Sequence, residues 1–242
     1  MNEATASSRD KILEVAEALY ARRGFAGVGM REVAEAAGLG KSSLFHHFRS
    51  KAQLYLAVVE RVLARIEERV QPIVRARAPA SERLDRWIDA LVDAFAEQPA
   101  SARLLLRALF EEDEFEAEDW PEGQAAERRL ANVLDGITRL LQQGMRAGEF
   151  RSASAPHVVQ TLIGATIYHF ASGEIGEGLL GAPLLSAEAV RATSPVFLFR
   201  DPVDTRAAWA RAGWGSLEYF KLAYGHALDL HDVHHVRQLG GV

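Results

Sequence analysis

Several features are absent from this chain of 242 amino acids, and each absence excludes a kind of chemistry or location. It contains no cysteine, which rules out disulfide bonds, thiolate catalysis and cysteine-ligated zinc. It contains no apolar run of about 18 residues, the length needed to cross a bilayer, and no N-terminal segment with the pattern of a secretory signal. We therefore expect a soluble, cytoplasmic protein with no membrane partner.

Catalytic motifs are also missing from the sequence. It has no serine-centred glycine elbow, no phosphate-binding loop and no HExxH zinc motif. Between Phe110 and Glu122 there are eight acidic residues and no basic one, but no pattern positions these carboxylates around a substrate. We interpret this stretch as a solvated loop, with cation binding or repulsion of DNA as alternatives. We expect neither an enzyme nor a resident cofactor.

The net charge of −5 is unevenly distributed along the chain. Residues 1–51 carry 8 Lys/Arg and 6 Asp/Glu, whereas the remaining residues carry 20 and 27. Attraction to nucleic-acid phosphates requires a local basic face rather than a basic total. The difference is small, but its sign is compatible with nucleic-acid binding by the N-terminal part.

Apolar residues recur at helical spacing along most of the chain, and strand alternation is weak, so we predict an all-α fold. A first helix is predicted from about Arg9 to Arg22. A long amphipathic helix is predicted to begin at Lys51 and to kink or break at Pro72, because proline removes a backbone donor. Further helical periodicity appears around residues 84–95, 104–109 and 130–141.

The segment from His157 to Ala171 is apolar on nearly all sides. We therefore expect a helix that is buried in the core, in an interface between two copies, or in both. Four glycines follow, and we expect them to prevent the helix from continuing. They are Gly173, Gly176, Gly178 and Gly181.

The most informative segment is Met30–Lys51, MREVAEAAGLGKSSLFHHFRSK. Its pattern predicts two short helices folded around a glycine. Val33, Ala34 and Ala37 share one face of the first, so that another helix can approach closely. Gly38 follows, at a position where a helix end in the left-handed conformation favours glycine.

The second short helix is predicted from about Lys41 to Phe48. Leu44 and Phe48, at i and i+4, turn inward together. This is the layout of a helix-turn-helix, in which the second helix lies in the major groove of DNA. Its other face carries Lys41, Ser42, Ser43, His46 and His47.

Together with the helix before it, this segment resembles the N-terminal domain of the TetR family of bacterial transcriptional regulators. The family's run G-V-S-x-x-x-L-Y-x-H-F-x-x-K corresponds to Gly38-Leu39-Gly40, Leu44-Phe45-His46-His47-Phe48 and Lys51. The resemblance implies a helix-turn-helix domain over residues 1–52 and a helical effector-binding and dimerisation domain over residues 53–242. Residues beyond about 190 match no family pattern and make the C-terminal part atypical.

The predicted DNA contacts combine direct reasoning with this resemblance. Lys41 can reach a phosphate or a guanine edge, and the hydroxyls of Ser42 and Ser43 are short enough to allow close approach. The resemblance implies phosphate contacts by His47 and Lys51 and a further contact by Arg31. The full predicted set is Arg31, Lys41, Ser42, Ser43, Phe45, His46, His47 and Lys51.

Three residues depart from the family pattern. Phe45 replaces the usual tyrosine and so lacks a hydroxyl that commonly binds a phosphate. Gly40 and Gly29 stand where serine or threonine often caps a helix, although glycine costs only a few tenths of a kcal/mol relative to serine at a cap. These departures affect operator affinity and preference without abolishing DNA binding.

The resemblance further implies a homodimer on an inverted-repeat operator, released by a small effector, most simply as a repressor. The segment from His157 to Ala171 and its C-terminal successors would form the dimer interface. The largely apolar C-terminal domain favours an apolar or aromatic effector, although each aromatic residue taken singly is more often plain core. Candidate pocket residues are Trp87, Phe95, Leu106, Phe110, Tyr168, His169 and Phe170.

A second hypothesis comes from a different functional class. His231, His234 and His235 would share one face of a C-terminal helix, with His226 nearby, and imidazole ligands suit nickel or zinc. A histidine-rich amphipathic terminus is the simpler interpretation, and we predict no metal site. The alternative function is a helical small-molecule- or metal-binding protein whose DNA-binding head is no longer used.

Overall fold

The computed structural model describes residues 8–110, 120–186 and 188, and these residues form eight α-helices without a strand. The C-terminal histidines and most of the acidic stretch lie outside the described residues. In chain order the helices are α1 (Ser8–Arg23), α2 (Met30–Ala36), α3 (Lys41–His47), α4 (Lys51–Arg75), α5 (Ala80–Glu97), α6 (Pro99–Ala108), α7 (Pro121–Arg146) and α8 (Ala155–Leu180).

Helices α1, α2 and α3 form a small N-terminal core with the first turns of α4. Ile12, Val33, Leu44 and Phe48 are completely excluded from solvent within it. Each burial of a large apolar side chain contributes about 1.5–3 kcal/mol. This core therefore determines how the two short helices are oriented.

An aromatic cluster fastens α1 to α4. The ring centroid of Tyr55 lies 5.0 Å from that of Tyr20 and 5.3 Å from that of Phe25, with edge-to-face geometry in both pairs. Burial raises the pKa of the Tyr20 hydroxyl well above its ordinary value. The hydroxyl therefore stays neutral in this core.

The remaining helices pack around the rest of α4, and the most extensive helix pairing in the described chain is that of α4 with α7. Leu54 of α4 is buried near its start, whereas Ile66 and Val70 are buried further along the same helix. A single helix thus joins the N-terminal core to the buried residues of the later helices, and together they form one hydrophobic cluster. None of the helices in the described parts combines the length and hydrophobicity needed to cross a bilayer.

The sequence predicts a kink or a break at Pro72, and no break occurs, because α4 continues to Arg75. Proline at this position removes one backbone hydrogen bond. Val70 and Ile73, on either side of it, are nevertheless buried as part of the same apolar face. Tertiary packing therefore holds the last turn of the helix in place.

The prediction that glycines end the last helix early is wrong, because α8 runs through Gly173 and Gly176 to Leu180. The chain turns at Gly181, which has a φ of +66°, and returns along the helix. A Cβ atom on Gly173 would lie 2.1 Å from Leu185 Cδ2. The missing side chain makes room for the returning segment, and this outweighs the helix penalty of about 1 kcal/mol for glycine.

Several polar contacts connect the N-terminal helices to the rest of the described chain. Glu17 Oε1 accepts hydrogen bonds from Arg65 Nη2 at 2.6 Å and from Ser101 Oγ at 2.7 Å, which joins α1 to α4 and α6. Gln53 Nε2 donates to Glu122 Oε1 at 2.9 Å, which joins the first turns of α4 and α7. These contacts therefore join α6 and α7 directly to the N-terminal core.

Candidate nucleic-acid interface

The turn between α2 and α3 has the geometry predicted from the sequence. Gly38 has a φ of +67°, its N–H donates to the Glu35 carbonyl at 3.0 Å, and the Leu39 N–H donates to the Ala34 carbonyl at 2.9 Å. This left-handed turn satisfies carbonyls that the end of α2 would otherwise leave unpaired. It directs the chain straight into α3.

Two glycines near this turn allow a matched test of backbone conformation. Gly38→Ala places a side chain in the left-handed region and is expected to cost about 1–2 kcal/mol of unfolding free energy. Gly40, the N-cap of α3, has a φ of −69°, no side-chain cap and room for a Cβ. Gly40→Ser is therefore expected to stabilise slightly, by about 0.3 kcal/mol. Denaturant unfolding measures both, and equal losses in the two variants would contradict the turn geometry.

Helix α3 has one buried face and one face that is exposed to solvent. Leu44 and the following Phe48 are 0% exposed, so the helix cannot rotate about its axis without exposing this core. Of the predicted contact residues, Ser43 and His47 are half-buried at the flank of the open face. The exposed ones on this helix are Lys41, Ser42, Phe45 and His46.

The remaining predicted contacts lie on neighbouring elements. The exposed guanidinium of Arg31, in the first turn of α2, lies 3.8 Å from Glu35 of the next turn. Such an exposed pair contributes little and is easily exchanged for a phosphate. Lys51 differs, because its Nζ donates to the Ala26 carbonyl at 3.2 Å and lies 4.4 Å from the Phe25 ring centroid. It fastens the α1–α2 loop to the start of α4, and its phosphate contact stays a prediction.

Reasoning from the sequence missed one cation beside the turn. Lys11 is exposed on α1, and a Cβ atom built on Gly38 would lie 3.6 Å from its Nζ. Lys11 is far from Gly38 along the chain and carries no motif. Only the packing of α1 across the two short helices brings it there.

The candidate pocket residues occupy different environments. Trp87, Phe95 and Phe170 are buried, and the rings of the latter two lie 5.9 Å apart. Leu106 and His169 are half-buried, and His169 Nε2 donates to the Leu184 carbonyl at 2.6 Å. Phe110 and Tyr168 lie exposed on the protomer surface.

A cavity of about 40 Å³ lies between α4, α5 and α6. Its walls include Val62 and Phe95 together with Arg65, Ser101 and Glu97, the last of which is paired with Arg69. The side-chain contact with Arg69 lowers the pKa of Glu97 below its ordinary value. The cavity has room for water but not for a drug-sized molecule, which needs about 300 Å³ or more.

Comparison with known proteins places this geometry in a family. Residues 12–58 match the family described as bacterial regulatory proteins, tetR family, and residues 81–196 match a tetracyclin repressor-like C-terminal domain. The chain belongs to the TetR family. The predicted family and the all-α architecture are thereby confirmed, and the protein is a helix-turn-helix transcriptional regulator.

The relatives of this chain include both a transcriptional repressor and a transcriptional activator. The chain is 28% identical to the HTH-type transcriptional repressor KstR2 of Mycolicibacterium smegmatis over 146 residues, covering 60% of this chain and 69% of that protein. It is 32% identical over 97 residues to the transcriptional activator FasR of the same species, covering 40% of this chain and 44% of that protein. Family membership therefore shows that the chain regulates transcription, but it does not distinguish repression from activation.

Solved TetR-family structures share the fold. The structure of AibR in complex with isovaleryl coenzyme A and operator DNA matches with a TM-score of 0.59 at 21% identity, covering 72% of this chain and 97% of that one. At this identity the match supports the arrangement of helices alone. The individual DNA contacts of this chain stay predictions.

Proposed function

We propose that this TetR-family regulator is a homodimeric repressor that binds an inverted-repeat operator in the cytoplasm and releases it when a small apolar molecule binds. One observation carries the DNA-binding part of the proposal. The face of α3 opposite the buried pair Leu44 and Phe48 is open along its whole length and carries short, basic and aromatic side chains. A helix with this profile can enter a major groove and contact base edges.

A dimer is proposed because one short helix contacts too few base pairs to find a site in a genome. Helix α8 offers a face for the second copy. Tyr168, Ile175 and Leu179 share one side of it and are 65%, 69% and 80% exposed. Gly164, one turn before Tyr168, has open space where a side chain would be. A second α8 can therefore approach closely and bury these apolar side chains.

Release by an effector is proposed from the link between α1 and α6. Arg65 and Ser101, which hold Glu17 of α1, also line the cavity between α4, α5 and α6. A molecule that enlarges this cavity must move the groups that hold α1. Such a molecule releases DNA only if it binds the DNA-incompetent arrangement more tightly.

The apolar character of the effector follows from the surrounding core. Phe95 on the cavity wall lies next to Phe170, with ring centroids 5.9 Å apart. Earlier on the same helix, the buried indole N–H of Trp87 has no hydrogen-bond partner among the described residues. An apolar molecule would match the aromatic side of this cavity. AibR, whose structure contains isovaleryl coenzyme A, suggests short acyl compounds as the first class to screen.

Selection of bound duplexes from a random pool at a stated salt concentration tests the proposal. An enriched inverted repeat would support a dimeric, sequence-specific regulator and supply the operator for effector screens. Absence of any enriched sequence would instead favour the alternative, a small-molecule- or metal-binding protein with an unused head. In the part of the chain that the structure describes, no three His, Asp or Glu side chains are grouped to hold a metal.

Arg31→Ala is expected to weaken operator binding and to make it less sensitive to salt. Each phosphate contact contributes about 0.9 to the slope of log K against log salt, so a dimer that loses two contacts should lose about 2 from its slope. Fluorescence anisotropy at several salt concentrations measures the slope. Arg86→Ala is the control, because Arg86 lies exposed on α5 and pairs with Glu82. An unchanged slope in Arg31→Ala would remove Arg31 from the interface.

A further inference from the structure

The side chain of Phe45 is exposed on the open face of α3. It is 38% exposed, whereas Leu44 on the same helix and Phe48 at its C-cap are fully buried. Those two residues supply the core contacts of the helix, so Phe45 is not needed to anchor it. Its neighbours on the open face are polar or charged, which makes Phe45 the largest apolar group that this face presents.

The surroundings of the ring leave it available to DNA. The Nζ atom of Lys41 lies 5.6 Å from the ring centroid, one helical turn away. Ser42 is short, and Gly40 at the N-cap has no side chain. The start of α3 can therefore enter a groove deeply enough for the ring of Phe45 to reach base edges.

The chemistry of the ring restricts what it can contact there. Phenylalanine has no hydroxyl, so it cannot donate a hydrogen bond to a phosphate or a base. The apolar group that bases present in the major groove is the 5-methyl of thymine, which phenylalanine side chains contact. A ring at this position can distinguish thymine from cytosine, which lacks the methyl group.

We propose that Phe45 is a specificity-determining residue that reads thymine by packing its ring against the 5-methyl group. The proposal rests on the proposed function, since it requires α3 to lie in the major groove. Lys41, which lies beside the ring, reaches the neighbouring phosphate or guanine. Each half-site then contains a thymine next to the position contacted by Lys41.

Replacement of thymine by deoxyuridine tests this inference, because it removes the methyl group and changes nothing else. The probe is the duplex enriched by selection, with each thymine replaced in turn at both half-sites. For the unmodified protein we expect binding about fourfold weaker for each methyl group removed at the contacted position. This is the effect of losing one apolar carbon from a contact. In Phe45→Ala the thymine and deoxyuridine duplexes should bind equally at that position.

Three further variants separate direct contact from indirect effects. Phe45→Tyr keeps the ring and should keep the preference for thymine. Arg31→Ala should weaken both duplexes and leave their affinity ratio unchanged. Lys41→Ala should also preserve the ratio. If Lys41→Ala abolishes it, Phe45 acts only by orienting Lys41, and the proposal is overturned.

Two other results would overturn the proposal. One is an enriched operator in which no thymine methyl affects binding of the unmodified protein, and the other is a Phe45→Ala variant that retains the full ratio. Circular dichroism checks that each variant keeps its helices. A selection that enriches no sequence would instead refute the proposed function, so the two failures are distinguishable.

Discussion

Ile175→Glu is expected to convert the protein into a monomer and to lower its affinity for an inverted-repeat duplex by about 100-fold or more. In the proposed two-fold symmetric dimer the same patch would contribute twice, so the substitution would introduce two carboxylates into the apolar contact between the two copies. Once the copies separate, each head binds its half-site alone and the gain from linked binding is lost. Analytical ultracentrifugation measures the mass, and anisotropy on the selected operator measures the affinity.

Leu109→Glu provides a matched control for this experiment. Leu109 follows α6 and is also an exposed apolar residue, but it does not belong to α8. The control is expected to remain dimeric and to bind DNA as before. A dimeric Ile175→Glu variant with unchanged affinity would show that the copies associate through another surface.

Trp87→Ala is expected to lower the free energy of unfolding by about 3–5 kcal/mol, because it leaves a large cavity in a fully buried site. Trp87→Phe should cost much less. It keeps a six-membered ring and removes an indole N–H that is buried without a partner in the described part of the chain, and such an unpaired donor is itself destabilising. Urea unfolding at a fixed protomer concentration measures both variants.

The informative quantity is the difference in unfolding free energy between Trp87→Ala and Trp87→Phe. A Trp87→Phe variant as unstable as Trp87→Ala would mean that the indole N–H has a partner or that the larger ring is irreplaceable in packing. A stable Trp87→Phe variant provides the reagent for effector screens. It would retain the core and the head while lacking the one polar atom that this tryptophan can offer to a ligand.

The helix-turn-helix could be predicted because its determinants are local. The left-handed turn favours glycine at position 38, and Gly38 has the positive φ that this predicts. The i, i+4 spacing of Leu44 and Phe48 predicts the buried face of α3, and both side chains are buried. These features depend on backbone conformation and helical periodicity within one short segment. The family resemblance over the same residues was correct for the same reason.

The end of α8 shows where local reasoning fails. Gly173 and Gly176 predict a helix stop, since glycine is a poor helix former. The structure instead uses their missing side chains to admit Leu184 and Leu185. Glu177 Oε1 accepts the backbone N–H groups of these two leucines at 2.8 and 3.0 Å. The sequence alone does not show whether a glycine in a helix only weakens the helix or is needed to make room for a neighbour. Here the position of the returning segment shows that it is needed.

By itself, the sequence determined the fold class, the family and which face of α3 stays exposed, because helical periodicity and turn chemistry act over a few neighbouring residues. Only the tertiary structure decided that Lys11 joins the turn, that Lys51 holds the α1–α2 loop and that Glu17 connects α1 to α6. These contacts join residues distant in sequence. They depend on how whole helices pack against one another, which the pattern within each helix does not specify.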